Sequence, residues 1–299
     1  MRNTTPNHRF AFPVPIAGAE DAQFAGFFYP AEGDRRGVLQ VLAHGNTYDH
    51  RYWDAPSING REYSYVRFMT KRGFDVVALD LPGVGESDKP ESGAFTVESV
   101  GQALSSLIDS FRRPTSILGR RFTQIISIGH SLGSMVGVFA EANWPAADLL
   151  VVTGTGYFPL RPRNKWAPGE RESLLVNPYA LVPPQSRLKY YHQPKADPAV
   201  ITYDNQNLRT SMPSRLWDDT IHLSNNPDAA GVHDVRCPVY IQLGEYDPTL
   251  PARYSEQERE CYRSSIEVSV DPLHDMGHCF NLHLNRELSW NALIRRLSQ

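Results

Sequence analysis

Cysteine is scarce: Cys237, Cys261 and Cys279 are the only three in 299 residues. No two of them form a Cys-x-x-Cys pair, which argues against a disulfide framework and against a cysteine-based zinc site. Reduced thiols fit a cytoplasmic location. No apolar run approaches the length that spans a bilayer, so no membrane span is expected. Residues 1–8 hold no apolar stretch of the kind a secretory signal needs. Basic charge is not in excess. The 33 acids outnumber the 30 bases and leave a net −3, so nucleic acid is not an expected partner. The pairs Arg35-Arg36, Arg112-Arg113 and Arg120-Arg121 are isolated and read as solvated loop faces. No Gly-x-Gly-x-x-Gly follows a strand, and no cluster of His, Cys and acid has metal-ligand spacing. Neither a cofactor nor a metal is therefore expected. A small molecule is the partner class that remains, with the oligomeric state open, a dimer included.

The apolar fraction of 41% allows a sizeable core in one large domain. Apolar runs predict strands near 9–15, 23–29, 38–43, 74–79, 124–128, 149–152, 239–243 and 265–270. Helical spacing is read at 63–71, 96–111, 134–142, 250–262 and 280–297. Strands alternating with helices predict an α/β fold with a mostly parallel sheet covered on both faces. The first two strands are short and Phe-rich and predict an antiparallel opening. From Phe158 to about Gly231 the alternation stops, leaving helical fragments at 184–192 and 214–223 and no clear buried strand. The expected organisation is a core of 1–155 and 233–299, interrupted by an insertion of 156–232.

The most informative segment is Gly129-His130-Ser131-Leu132-Gly133. An apolar strand precedes it and a helix-compatible run follows. That context makes Gly-x-Ser-x-Gly a nucleophile elbow, with the serine on a strained turn and glycines that let strand and helix approach. A serine hydroxyl needs a base, and the base needs an acid to orient it. For this strand–turn–helix arrangement the chain order is Ser, acid, His. Asp247, after the 239–243 strand, is the expected acid, with Glu245 and Asp271 as alternatives. His278, after the 265–270 strand, is the expected base, with His274 and His283 as rivals. Leu132 supplies one oxyanion N–H from the start of the helix. The loop His44-Gly45-Asn46-Thr47 follows an earlier strand and supplies the other from Asn46, or alternatively Thr47. His44 itself reads as a structural residue that holds this loop.

These motifs, with Asp80-Leu81-Pro82-Gly83-Val84-Gly85, occur in an order that resembles the α/β-hydrolase superfamily over nearly the whole chain. The resemblance implies the α/β-hydrolase fold, with the insertion as a mostly helical cap over the serine. A serine at the elbow, where haloalkane dehalogenases and epoxide hydrolases carry aspartate, implies an esterase or lactonase. Carbon–carbon hydrolases, thioesterases and cyclases of natural-product pathways use the same triad and remain alternatives. A non-catalytic ligand sensor is the alternative from another class. Thr47, Tyr48, Trp53, Tyr157 and Phe158 are expected to line a largely apolar substrate pocket. The basic residues Arg161, Arg163, Arg171, Arg187 and Lys189 of the insertion read as solvated, with carboxylate recognition as the alternative.

Overall fold

The structure, a computed structural model, describes residues 8–298 except 15, 17, 18, 92–94 and 161–165. The chain opens with β1 (His8–Pro13), β2 (Gln23–Tyr29) and β3 (Val38–Ala43), then β4 (Asp54–Ile58), β5 (Arg61–Ser64) and α1 (Tyr65–Thr70). It continues through β6 (Asp75–Asp80), α2 (Val97–Ser110), β7 (Gln124–His130), α3 (Leu132–Asn143) and β8 (Leu149–Thr153). Next come α4 (Glu170–Leu175), β9 (Tyr179–Ala180), α5 (Pro184–Arg187), α6 (Pro198–Tyr203), β10 (Met212–Pro213), α7 (Ser214–Ser224) and α8 (Pro227–Ala230). The chain closes with β11 (Val239–Gly244), α9 (Ser255–Arg259), β12 (Val268–Leu273) and α10 (Glu287–Leu297).

Eight strands form one sheet in the order β1-β2-β6-β3-β7-β8-β11-β12. β2 is antiparallel to both β1 and β6, and every pairing from β6 to β12 is parallel. The expected α/β fold with an antiparallel opening is therefore the fold observed. Both faces are buried because side chains alternate along each strand. Leu150 and Val152 pack with α2 and α3, while Leu149 and Val151 pack on the opposite side with α1 and α10. In α2, Val97, Val100, Leu104, Leu107 and Ile108 form the buried stripe that the sequence displays. Thr96 and Ser99 close its N-terminus as a reciprocal capping box.

Four element expectations are corrected. The strand expected over 265–270 is β12 at Val268–Leu273, so Asp271 lies within the strand rather than after it. The helix expected from residue 63 begins at Tyr65, because 61–64 pair with 54–58 as a hairpin. Asn59 and Gly60 both have positive φ, 49° and 75°, and bridge the Ile58–Arg61 pair as a two-residue turn of the primed type. The last helix begins at Glu287 rather than 280, since a 3₁₀ turn at Phe280–Leu282 and a buried His283 occupy the interval. The helix expected over 250–262 is a 3₁₀ turn at Ala252–Tyr254 followed by the short α9.

The elements between β8 and β11 are short helices and the two-residue ladder of β9 with β10. Several bonds tie them to the sheet-bearing body. The backbone N–H groups of Tyr157 and Phe158 donate to the buried Glu258 carboxylate at 2.6 and 2.7 Å. Asp219 on α7 accepts from the Val97 N–H that opens α2 (3.0 Å). Tyr179 donates to the Pro90 carbonyl at 2.8 Å. Among the described residues no helix is long and apolar enough to cross a membrane.

Candidate active site

Parallel strands bring the loops at their C-terminal ends together, and four such loops converge here. The first is the turn from β7 to α3. Ser131 sits at its apex with φ 53° and ψ −114°, a strained backbone for a residue with a side chain. Its N–H donates to the Thr153 carbonyl at 2.8 Å, fastening the turn to β8. The flanking glycines are required by space. A Cβ on Gly129 would lie 2.3 Å from the Ser134 backbone, and one on Gly133 2.2 Å from the Ala43 carbonyl oxygen. Both separations are far inside van der Waals contact, so any larger residue would push the helix off the sheet.

The second and third loops follow β11 and β12. His278 Nδ1 lies 2.9 and 3.0 Å from the two carboxylate oxygens of Asp247. Asp247 is completely buried, and Thr249 fixes it by donating its backbone N–H (2.8 Å) and its hydroxyl (2.6 Å) to Oδ1. With Nδ1 engaged as donor, Nε2 is the ring nitrogen left to accept a proton. The rivals lie elsewhere. Glu245 accepts from the Asp275 N–H, and Asp271 accepts the Tyr240 hydroxyl at 2.5 Å. The side chain of His274 is 84% exposed. His283 is buried and structural: Nδ1 donates to the Cys279 carbonyl at 2.8 Å, while Nε2 accepts from Gly277 and His192 N–H. Burial lowers its pKa to about 4, which keeps the ring neutral and this bonding pattern intact. It thereby braces the loop that presents His278.

The fourth loop follows β3. His44 is buried, with Nδ1 on the Gly45 carbonyl (2.9 Å) and Nε2 accepting the Leu81 N–H (3.1 Å). Burial depresses its pKa, in keeping with a neutral ring that holds the loop. Asn46 and Thr47 come next, and Thr47 has a positive φ of 56°. Asn46, Thr47, Tyr48, Ser131, Leu132 and His278 all line one cavity of about 230 Å³. Its far wall is one face of α7, where Trp217, Thr220, Ile221 and Ser224 recur at helical spacing.

Three expected pocket residues are not in that wall. Trp53 is buried edge-on between Tyr52 and Tyr65 in the core. Tyr157 is fully buried, and Phe158 stacks on Tyr254 at 5.5 Å. An aromatic run alone does not say whether its side chains face a cavity or the core. The wall is also not largely apolar, since Glu170, Ser186, Arg187 and Lys189 contribute beside Met135 and Val182. Nor is Arg187 solvated: it is 3% exposed, with Nη1 2.9 Å from Asp204 Oδ1. Arg171 is engaged as well, paired bidentately with Asp218 on α7. Arg161 and Arg163 lie outside the described residues.

Sequence reasoning also missed His130 and Thr249. His130 stacks on Tyr52 at 4.7 Å and lies 4.9 Å from the His278 ring. Burial, then the neighbouring His278, push its pKa well down, so it adds no charge beside the base. The Asp-Pro-Thr spelling of 247–249 carried the signal for Thr249, because an aspartate commonly bonds the backbone two residues on. Asp49, His50 and Asp80 are the one group among the described residues close enough to share a metal ion. Their atoms are engaged already, Asp49 by Arg51 and Asp80 by His50 and the Glu86 N–H.

Comparison with known proteins bears on the family and the fold. Residues 40–288 match a family model described as the alpha/beta hydrolase family. A search of curated protein sequences finds no match. Among solved structures, a soluble variant of monoglyceride lipase from Saccharomyces cerevisiae aligns with TM-score 0.74 and 15% identity, over 99% of this chain and 95% of that one. A hydrolase from Pseudomonas aeruginosa PA01 aligns with TM-score 0.69 and 17% identity, over 98% and 99% of the two chains. A thermophilic esterase from Thermogutta terrifontis aligns with TM-score 0.63 and 18% identity, over 97% and 98%. At such identities the likeness is one of fold.

Proposed function

The chain belongs to the alpha/beta hydrolase family, and from that premise we propose that it hydrolyses a medium-sized carboxylic ester or lactone through an acyl-enzyme on Ser131. The observation that carries this reading is His278, held by the buried Asp247 at 2.9 Å, lining the same cavity as a serine held at positive φ. Ser131 Oγ attacks the carbonyl carbon while His278 Nε2 takes its proton. Asp247 holds the imidazole by Nδ1 and stabilises the imidazolium. The N–H groups of Asn46 and Leu132 receive the oxyanion. Collapse expels the alcohol with the proton from His278. Water then attacks the acyl-enzyme, giving its proton to His278, and collapse breaks the bond to Ser131 Oγ, which takes that proton back from His278 as the acid leaves.

The cavity volume of about 230 Å³ lies below the roughly 300–1,000 Å³ of pockets for drug-sized ligands. That favours a compact substrate. The mixed wall favours one with polar groups beside an apolar body, and a neutral one, since Arg187 is matched by Asp204. In this reading 156–232 acts as a cap that sets acyl and alcohol selectivity. The test is turnover of a panel of p-nitrophenyl esters, lactones, thioesters and diketones by the wild type and by Ser131→Ala. Ester or lactone turnover that falls by several orders of magnitude in Ser131→Ala supports the reading. Near-normal turnover by the variant, or turnover of diketones alone, contradicts it. Tight binding of a small molecule with no turnover of any class would instead make the protein a sensor.

A further inference from the structure

The loop that carries Asn46 is held from across the cavity, by residues of the segment between β8 and β11. The Thr47 carbonyl accepts the Thr210 N–H at 3.0 Å and Arg187 Nη2 at 3.3 Å. The Tyr48 hydroxyl donates to Asp204 Oδ2 at 3.1 Å, and the Tyr191 hydroxyl donates to the same oxygen at 2.7 Å. Arg187 completes the group, its Nη1 2.9 Å from Asp204 Oδ1 and its guanidinium 4.0 Å above the Tyr48 ring. Asp204 opens a π-helical turn over 204–208, an irregularity that proteins often keep at functional sites.

Two features make this more than packing. The first is strain at the receiving end. Thr47 is β-branched, and a φ of 56° is unfavourable for it unless its surroundings impose that conformation. It occurs in a turn closed by the Tyr48 N–H on the Gly45 carbonyl (3.2 Å), and Thr210 and Arg187 hold the Thr47 carbonyl of that turn in place. The second is burial. Arg187, Asp204 and Tyr48 are 3%, 0% and 4% exposed. A buried ion pair is weak as a source of stability, and its better-attested use is to fix an arrangement. If Thr47 relaxed to negative φ, the peptide plane between Asn46 and Thr47 would rotate. The Thr47 N–H would move with that plane, and the Asn46 N–H, one peptide back, would shift as the turn closed by the Tyr48 N–H on the Gly45 carbonyl (3.2 Å) opened.

We propose that Asp204 is a positioning residue: through Tyr48 and Arg187 it sets the oxyanion loop, so that transition-state stabilisation depends on the 184–210 segment being seated. The proposal rests on the hydrolase reading above for its kinetic consequence but not for its structural one. The Tyr48→Phe and Asp204→Asn variants and the double variant test it in two arms. In the first arm, kcat and KM are measured on a p-nitrophenyl ester, beside the rate of Ser131 labelling by a fluorophosphonate. Losing alignment of one oxyanion donor should lower kcat and the labelling rate about tenfold to a hundredfold. KM should stay within about threefold, because only the transition state is affected. The double variant should be little worse than the weaker single variant, since Tyr48→Phe removes the hydroxyl and Asp204→Asn removes the charge facing Arg187 in one buried network whose members couple. In the second arm, hydrogen exchange followed by mass spectrometry should show faster exchange over 44–49 in both variants, with α3 unchanged. A raised KM with unchanged kcat, fully additive losses, or unchanged exchange over 44–49 would overturn the proposal. If the wild type neither turns over nor labels, the hydrolase reading falls, and the exchange arm still decides the coupling. If Asp204→Asn fails to fold, Tyr48→Phe carries both arms.

Discussion

Asp247→Asn probes the triad where the structure is most explicit. In the native protein Asp247 Oδ1 receives both donors of Thr249, at 2.8 and 2.6 Å. Oδ2 lies 2.9 Å from His278 Nδ1. An asparagine would keep its single carbonyl oxygen at the Thr249 donors and turn its NH₂ toward the imidazole. Nδ1 would then have to accept, the ring proton would move to Nε2, and Nε2 could no longer take a proton from Ser131. Geometry would be conserved while the tautomer was reversed. For an acid–base pair of this type the loss is about 10⁴-fold in kcat, or about 5.4 kcal/mol of transition-state stabilisation. The assay is steady-state hydrolysis of the best ester in the panel, with an urea unfolding curve to show that the fold is retained. Thr249→Val is the companion variant. It removes the hydroxyl bond but keeps the backbone N–H, so a much smaller loss is expected. A kcat for Asp247→Asn within about tenfold of wild type would refute the assignment of Asp247 as the orienting acid.

Trp53→Ala and Trp217→Ala should separate core from pocket. Trp53, 3% exposed among Tyr52 and Tyr65, should cost about 3–5 kcal/mol in urea unfolding and leave the acyl-length preference of the folded enzyme unchanged. Trp217 faces the cavity, so its loss should move the preferred acyl chain to greater length, each added buried methylene being worth about fourfold in kcat/KM; a preference that moves with Trp53 and not Trp217 would refute this placement. A third prediction concerns Glu141 on α3, whose pKa burial raises from 4.5 to about 7. The folded state binds this proton more tightly than the unfolded one, so Glu141 makes wild-type stability fall as pH rises from 4.5 to 7, by up to about 3 kcal/mol. Glu141→Gln removes that titration, and its stability relative to wild type should grow across the same interval; an equal difference at both ends of it would contradict the buried, shifted carboxyl.

What the sequence made legible follows from how local each requirement is. The elbow could be read directly, because Gly129 and Gly133 are dictated by contacts at 2.2–2.3 Å between adjoining elements. Asp247 and His278 could be read from chain order, since each lies just past a strand that the apolar pattern marks. The hairpin at 54–64 was written in Asn59-Gly60 but hidden by the helical spacing of the residues that follow. Trp53, Tyr157 and Phe158 could not be placed, because whether an aromatic in a loop faces a cavity or a core depends on chain far away in sequence. The same holds for Arg187. Its partners Asp204 and Thr47 lie 17 and 140 residues away in sequence, and composition alone left it among solvated cations. The stripe Trp217, Thr220, Ile221 and Ser224 was visible as a helix, yet only the fold shows that this face meets Ser131.

The proposed mechanism stands or falls with Ser131 as the nucleophile. Incubation with a fluorophosphonate, digestion and peptide mass spectrometry test it most directly. One phosphonyl adduct is expected, located on Ser131 and absent from Ser131→Ala, with labelling slowed in Asp247→Asn as the base loses its tautomer. An adduct on another residue, or an unmodified Ser131 in protein that still turns over ester, would contradict it.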